Sequence, residues 1–331
     1  MPRCDIVVIG GSAGAVEAMQ VVVSSLPAGL PAAVFMVLHV PSDSPSMLPQ
    51  ILGRAGPLPV KHAEDGELVR PGQIFIAPPD RHLTLNDGVI RVIRGPRENR
   101  HRPAIDPLFR SAAKVYESRV IGVILSGHLD DGAAGLNAIH LRGGVVIVQD
   151  PEDAIAPQMP RAALQYGGVD YVLPLAEIGP QVADLVNQCR RDTVKHKKSN
   201  PESISNEAME NLNVSRPHEG HGVPSAFSCP ECSGVLWELN EGELTRFRCR
   251  VGHAYTMTAL AEDQTDALEN ALWAAMRALE EKAALSTRLS EGAVDPKMGL
   301  RLKEQAHADR DYAGAIRRIL FRDDKEKQLA S

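Results

Sequence analysis

The chain alternates short, unbroken apolar runs with stretches where apolar residues recur every three or four positions. Residues 5–9 and 32–39 are runs of the first kind, as expected of strands covered on both faces. Between them, 16–26 carries apolar residues at helical spacing, so the chain opens as strand, helix, strand. A parallel pair with a right-handed crossover is the natural reading of that order. The pattern resumes with strands at 120–125, 145–149 and 171–174 and helices at 133–141 and 160–166. The middle differs. Runs at 73–77, 82–85 and 89–93, with Asn86-Asp87-Gly88 as a turn, read as an antiparallel hairpin suited to the edge of a parallel sheet. The expected fold class is α/β: a doubly wound, mostly parallel sheet with an antiparallel hairpin, followed by a small Cys/His segment and a helical tail.

Past residue 189 the apolar pattern lapses. Arg190-Arg191 and Lys195-His196-Lys197-Lys198 are followed by Ser, Asn, Glu and Pro, which reads as a solvated linker over 190–226. The basic run also suits a nucleic-acid or anionic-lipid contact, but its composition favours the plain linker. The expected division is therefore an α/β domain at 1–189, the linker, the Cys/His segment at 227–256 and the helical tail at 257–331. In the tail, Leu268, Leu272, Ala275 and Leu279 recur at steps of four, three and four, and Tyr312, Ile316 and Leu320 repeat the spacing. A two-helix hairpin and a homodimer seam would each bury such a stripe.

Composition narrows the classes of function. At 331 residues and 44% apolar, the chain is long enough for two domains, and with 4% aromatics its core must rest on Val, Ile, Leu and Ala. A net charge of -6 argues against a general nucleic-acid binder. No apolar run approaches the ~20 residues of a membrane span, and the opening residues lack a secretory h-region. Cys4 and Cys189 stand alone, whereas Cys229, Cys232 and Cys249 cluster. An odd, clustered set without an export signal reads as thiols and metal ligands, not disulfides, and places the protein in the cytoplasm.

The candidate chemistry begins at Gly10-Gly11-Ser12-Ala13-Gly14, between the first strand and the first helix. A dinucleotide fold wants G-x-G-x-x-G and an acidic residue closing the second strand; here Ser12 replaces the second glycine and His39 closes the strand. A plain βα turn with a serine cap is a second reading. A third is a nucleophile turn, which projects a serine hydroxyl above the sheet beside free backbone N–H groups. His39 favours the third, because functional side chains of open parallel sheets gather at the carboxyl ends of strands. Leu125-Ser126-Gly127-His128-Leu129-Asp130-Asp131-Gly132 follows another apolar strand and brings a carboxylate, Asp130 or Asp131, to the same edge. Either aspartate could instead simply cap the next helix. Serine, histidine and aspartate thus come from three strand ends of one sheet, and triads are recognised by geometry and role, not by chain order.

These residues sit in motifs that resemble the CheB catalytic domain. The likeness covers Ile9-Gly10-Gly11-Ser12-Ala13-Gly14, His39-Val40-Pro41, Ile74-Phe75-Ile76-Ala77-Pro78-Pro79-Asp80-Arg81-His82 and Asn99-Arg100-His101-Arg102-Pro103-Ala104-Ile105-Asp106. It continues in Gly122-Val123-Ile124-Leu125-Ser126-Gly127, Asp131-Gly132-Ala133-Ala134-Gly135-Leu136 and Met159-Pro160-Arg161-Ala162-Ala163, in order from about residue 5 to 186. The resemblance implies a parallel α/β serine hydrolase that demethylates glutamate methyl esters on chemoreceptors, some members also deamidating glutamine. It implies Ser12 as nucleophile, His39 as general base and Asp131, directly before Gly132, as the orienting carboxylate, with no catalytic cofactor. The backbone N–H groups of Ala13 and His128 are the implied oxyanion hole. Two positions depart from the family pattern: Ala13 where a small hydroxyl residue is usual, and His128-Leu129 where Met-Gly is usual. Family members usually carry a phosphorylatable receiver domain ahead of this domain. Here the first strand opens the chain, so control is expected from the tail or a partner. The implied partners are the methylated cytoplasmic domain of a chemoreceptor and other chemotaxis signalling proteins.

Cys229-Pro230-Glu231-Cys232 and Cys249-Arg250-Val251-Gly252-His253 lie sixteen residues apart, close to zinc-ribbon spacing. Three thiolates and an imidazole can close a tetrahedral shell around a structural Zn²⁺, and so short a segment has little else to hold it folded. A metal-free hairpin with incidental cysteines is the plainer alternative. The segment resembles a zinc-ribbon-like tail on some CheB-like proteins, with Cys229, Cys232, Cys249 and His253 as expected ligands. A docking role suits it better than a nucleic-acid contact, since Glu238, Glu241 and Glu243 offset its arginines. Against the esterase stand two further readings: a hydrolase of some other ester, and an idle scaffold that keeps the domain for docking.

Overall fold

The computed structural model describes residues 4–41, 46–195, 222–241 and 244–329. Of the expected linker at 190–226, residues 196–221 lie outside that set. The chain divides into two compact units, Met1–Leu260 and Ala261–Ser331.

The first unit opens with β1 (Ile6–Gly11), α1 (Ala15–Ser25), β2 (Ala33–Leu38), α2 (Leu48–Ala55), β3 (Val60–His62) and β4 (Ile74–Ile76). A hairpin of β5 (His82–Asn86) and β6 (Val89–Ile93) comes next. Then come α3 (Ile105–Tyr116), a single 3-10 turn at Glu117–Arg119, β7 (Val120–Ile124), α4 (Ala133–His140) and β8 (Val145–Gln149). The α/β part closes with α5 (Gln158–Tyr166), β9 (Tyr171–Leu173) and α6 (Leu175–Lys195). Seven strands form one parallel sheet in the order β3-β4-β2-β1-β7-β8-β9.

Alternation along the central strands supplies both faces of this sheet. Val7, Ile9, Val34 and Met36 enter a core with the buried side of α1 (Ala15, Ala18, Met19, Val22, Val23) and with Ile178 and Val182 of α6. Ile6, Val8, Phe35 and Val37 enter a second core with Leu108, Phe109 and Ala112 of α3 and Leu136 and Ile139 of α4. A continuous apolar run is what such a doubly covered strand requires. Strand order reverses between β1 and β7, which makes the crevice beyond their carboxyl ends the expected ligand site.

Two expectations are corrected. Ile74–Ile76 belongs to the parallel sheet, beside β2, and not to the hairpin; all three residues are buried, the mark of an inner strand. The hairpin is β5 and β6 alone and forms its own two-stranded sheet, not an edge of the large one. Its alternation shows why: Leu83, Leu85 and Ile90 enter the second core, leaving Thr84 and Arg91 outward. Asp87 and Gly88 both take positive φ, 40° and 79°, as a two-residue turn of this hand demands. The second correction concerns Cys4, which is disulfide-bonded and not a free thiol; Cys229, Cys232 and Cys249 remain thiols.

The Cys/His strands belong to the same unit as the parallel sheet. They are β10 (Val223–Ser228), β11 (Val235–Glu241), β12 (Leu244–Cys249) and β13 (Ala254–Thr256), an antiparallel meander. In the second unit α7 (Met257–Glu291, whose first turn belongs to the first unit) and α8 (Pro296–Leu329) form a helical hairpin. Met276, Ala313 and Leu320 are its buried centre, with Leu272, Leu279 and Ile316 packed around them. Leu268 and Tyr312, although on the periodic stripe, stay exposed.

Candidate active site

Ser12 follows β1 directly and is held by the loop beyond β7. Its backbone N–H donates to Ser126 O at 2.9 Å, and the turn closes as Ala15 N–H donates to Ser12 O at 3.1 Å. Gly14 takes φ 73°, and a Cβ there would lie 2.8 Å from the Ile155 side chain, so both conformation and space ask for glycine. Ser126 locks the two loops together: its hydroxyl donates to Ala13 O at 2.7 Å and accepts from Ala156 N–H at 2.8 Å. Gly127 lies so close that a Cβ on it would sit 3.0 Å from Ser12 Cβ.

His39 follows β2, the neighbour of β1, and its backbone N–H donates to Gly11 O at 3.3 Å. Ser12 and His39 thus each follow one member of the register pair Gly11 and Leu38. The ring Nε2–H donates to Asp131 Oδ2 at 2.8 Å, with side-chain exposures of only 5% and 1%. The other ring nitrogen, Nδ1, is buried and meets no partner among the described residues. The ring plane is fixed from one side by His101, stacked at 3.6 Å between centroids and 14° between planes. Burial, and then the neighbouring His39 ring, push the His101 pKa down to about 3, so a neutral imidazole covers His39.

Asp131 accepts four hydrogen bonds, from His39, from Asn99 Nδ2 at 2.9 Å and from the backbone N–H groups of Ile105 (2.6 Å) and Asp106 (3.2 Å) at the start of α3. Burial opposes its charge, but the His39 ring and these donors hold its carboxyl well below the usual carboxylate range. Asp106 repays the arrangement at the other helix. It accepts from Gly132 N–H at 3.1 Å and Gly135 N–H at 2.7 Å at the start of α4, and from Asn99 Nδ2 at 3.1 Å. Burial, and then the charge of Asp131, push Asp106 up to about 7. The two carboxyls are driven in opposite directions, the anion being kept on the one that faces the histidine. The loop before α3 is pinned by buried His82, whose Nε2–H donates to Pro96 O (2.8 Å) while Nδ1 accepts from Ala104 N–H (3.2 Å).

The structure therefore joins His39 to Asp131 and sets His39 beside the Ser12 turn. Among the described residues no hydrogen bond links the Ser12 hydroxyl to the ring; such contacts are often long before substrate arrives. Asp130, its neighbour, is turned away and accepts from Thr256 Oγ1 at 2.7 Å. The backbone N–H groups of Ala13 and His128 meet no acceptor among the described residues, and the exposed His128 ring pairs with Gln158 Oε1 at 2.6 Å. Leu129 takes φ 60°, a left-handed conformation that a glycine would hold without cost. Asn99, His101 and Asp106 had no separate role in the sequence. Their signal was an acidic residue in the first turn of a helix and two polar side chains in the run before it.

Cys229, Cys232, Cys249 and His253 bring one ligand atom each within 4.8 Å of one another. Cys232 Sγ lies 3.6 Å from Cys249 Sγ, and His253 Nδ1 lies 3.6 Å from Cys229 Sγ and 3.5 Å from Cys249 Sγ. A tetrahedral shell with ordinary Zn–S and Zn–N lengths has edges of about 3.8 and 3.6 Å. The four residues fit a metal of that kind.

Fold and site together define a doubly wound α/β protein with a serine and a buried His–Asp pair at its strand-order reversal. The profile of the CheB methylesterase family matches residues 7–182, and the chain belongs to that family. It is 39% identical over 175 residues to a Leptospira interrogans protein provisionally named protein-glutamate methylesterase/protein-glutamine glutaminase, covering 53% of this chain and 91% of the relative. A Salmonella typhi protein-glutamate methylesterase/protein-glutamine glutaminase is 39% identical over 181 residues, or 54% of this chain and 52% of the relative. The chain thus spans about half the length of some relatives. The Thermotoga maritima CheB methylesterase catalytic domain superposes with a TM-score of 0.53 at 36% identity, covering 56% of this chain and 100% of that domain.

Proposed function

We propose that the chain is a serine hydrolase that demethylates glutamate methyl esters on chemoreceptors. The observation that carries this reading is the buried His39 ring. With Nε2 committed to Asp131, partnerless Nδ1 is the only nitrogen left to act as base, next to the Ser12 loop. In this reading Nδ1 takes the Ser12 proton as Oγ attacks the ester carbonyl. The oxyanion rests against the backbone N–H groups of Ala13 and His128. Nδ1 then hands the proton to the departing methoxide, so methanol leaves and a glutamyl-Ser12 ester remains. Water, deprotonated by the same nitrogen, hydrolyses that ester to the carboxylate and free Ser12.

The names of the relatives also support amide hydrolysis, with ammonia leaving in place of methanol. No helix among the described residues is long and apolar enough to cross a membrane, which accords with action in the cytoplasm on receptor cytoplasmic domains beside other chemotaxis proteins. Cys229, Cys232, Cys249 and His253 would hold a structural zinc ion, which would supply cohesion to β10–β13. The helical tail, with exposed Leu285, Leu289 and Ile319, is suited to pairing with a second copy.

Ser12→Ala should cut methanol release from a methylated receptor fragment by about 10⁴-fold or more. Release at the wild-type rate by that variant would end the assignment.

A further inference from the structure

The Cys/His segment does more than share a unit with the parallel sheet: its last strand runs into the support of Asp131. Asn99 N–H donates to Ala254 O at 2.8 Å and Ala254 N–H donates to Arg97 O at 3.3 Å, a parallel bridge between β13 and the loop before α3. Thr256 N–H donates to Asn99 Oδ1 at 3.0 Å. That bond faces the amide group of Asn99 so that its Nδ2 reaches both Asp131 and Asp106. Asn99 and its backbone take φ 47°, with Arg100 at 71°, which asparagine tolerates when both ends of its side chain are satisfied. The Thr256 hydroxyl donates to Asp130 Oδ1, the residue preceding Asp131, and accepts from Ala259 N–H at 3.1 Å. Asn99 and Thr256 are each 1% exposed, so none of these bonds is shared with bulk water. A charged clamp lies alongside: Glu98 binds Arg110 of α3 at 2.6 Å and Arg246 of β12 at 3.1 Å. His253, one of the four candidate ligands, directly precedes β13.

We propose that β13 is a limb of the active site: Thr256 is a positioning residue for Asp131, and metal loading of the Cys/His cluster thereby sets turnover without taking part in the chemistry. The inference rests on the esterase reading above. The chain of contacts is short and specific. The ligand residue His253 anchors β13, β13 sets Asn99 and Asp130, and these fix the carboxylate that orients His39. Loss of the metal frees β13, and Asn99 then loses the acceptors and donors that hold its left-handed turn. Asp131 is left with fewer donors and a looser grip on the imidazole, which lowers kcat and leaves KM, set by the substrate crevice, in place.

The full-length chain tests this in three forms: as purified with zinc, stripped with EDTA, and re-supplied with zinc chloride. Methanol release gives kcat and KM, and amide hydrogen exchange reports on residues 97–106. Stripping should lower kcat by about tenfold or more with KM within about twofold. It should also speed exchange across 97–106, leave β1 and β7 protected, and be reversed by zinc. Thr256→Val, with its metal bound, should lower kcat by about fivefold to tenfold, and Thr256→Ser should restore it. A stripped protein with full kcat and unchanged exchange at 97–106 overturns the proposal, as does a Thr256→Val protein with wild-type kcat. Should the wild-type protein release no methanol that depends on Ser12, the esterase reading fails; exchange at 97–106 still decides whether the metal cluster holds the Asp131 support.

Discussion

The parallel sheet and the Cys/His meander sit in one unit, yet they are held together by different physics. Strands β1, β2, β4 and β7 are buried throughout, each feeding two apolar cores. The meander has one small cluster, Cys229, Leu236, Phe247, Cys249, Tyr255, Ala259 and Leu260, in which two members are themselves candidate ligands. Most of β10 faces solvent. Burial of area stabilises the first region, whereas the second has the Glu98 ion pairs and, on the proposed reading, would lean on coordination. The lesson is that the His39–Asp131 pair sits in the first region while one of its supports, Asn99, is held by β13 of the second.

The largest expected effect probes the first region. Asp131→Asn should lower kcat/KM by about 10³- to 10⁴-fold, since the amide cannot accept from all four donors or stabilise a protonated ring. A loss under tenfold would break the claim that this carboxylate orients His39. Next, Cys249→Ser should remove the cooperative melting of β10–β13, at a cost of about 3–5 kcal/mol to that region, while the parallel sheet keeps its own transition. Calorimetry of the variant in zinc-containing buffer would contradict the contrast if its melting profile matched that of the wild type.

A pH experiment sharpens it further. Burial opposes the charge of Glu98, but Arg110 and Arg246 hold its pKa at about 2, below the usual 4.5. A depressed carboxyl contributes stability that is fully present above 4.5 and is lost as pH falls toward 2. Acid titration should therefore loosen β12 and β13 in that window, and Glu98→Gln should flatten the dependence by about 2–3 kcal/mol. The smallest effect is expected at Leu129→Gly. Relief of its positive φ should raise stability by about 1 kcal/mol, readable as a small rise in Tm.

Much of the first region was legible because burial on both faces leaves a plain trace. Unbroken apolar runs marked β1, β2, β7 and β8, and the small residues around Ser12 marked the sharp turn. The same rule, applied to Ile74–Ile76, would have separated that strand from the alternating hairpin beside it; proximity in sequence to β5 obscured it. His39 was visible as a polar residue closing an apolar strand; the loop after β7 offered Asp130 and Asp131 alike, and only the CheB resemblance pointed to Asp131. Asn99, His101 and Asp106 were not visible, because their roles depend on which carboxylate meets which helix start, and that is decided by packing of α3 against α4. Thr256 was beyond reach altogether. Its contact with Asn99 spans 157 positions of chain and crosses what the composition presents as a boundary.

The position of β1 in the strand order has a bearing on how the protein is made. A ribosome adds about 5–20 residues per second. One neighbour of β1, β2, is translated directly after α1, but the other, β7, is translated about 110 residues later, some 5–20 seconds on. Throughout that interval the nascent polypeptide carries an unpaired, wholly apolar edge at its centre, the kind of template on which chains aggregate. Trigger-type chaperones that shield emerging apolar segments should therefore matter most before residue 125 has left the exit tunnel, and soluble yield should respond to synthesis rate in that window.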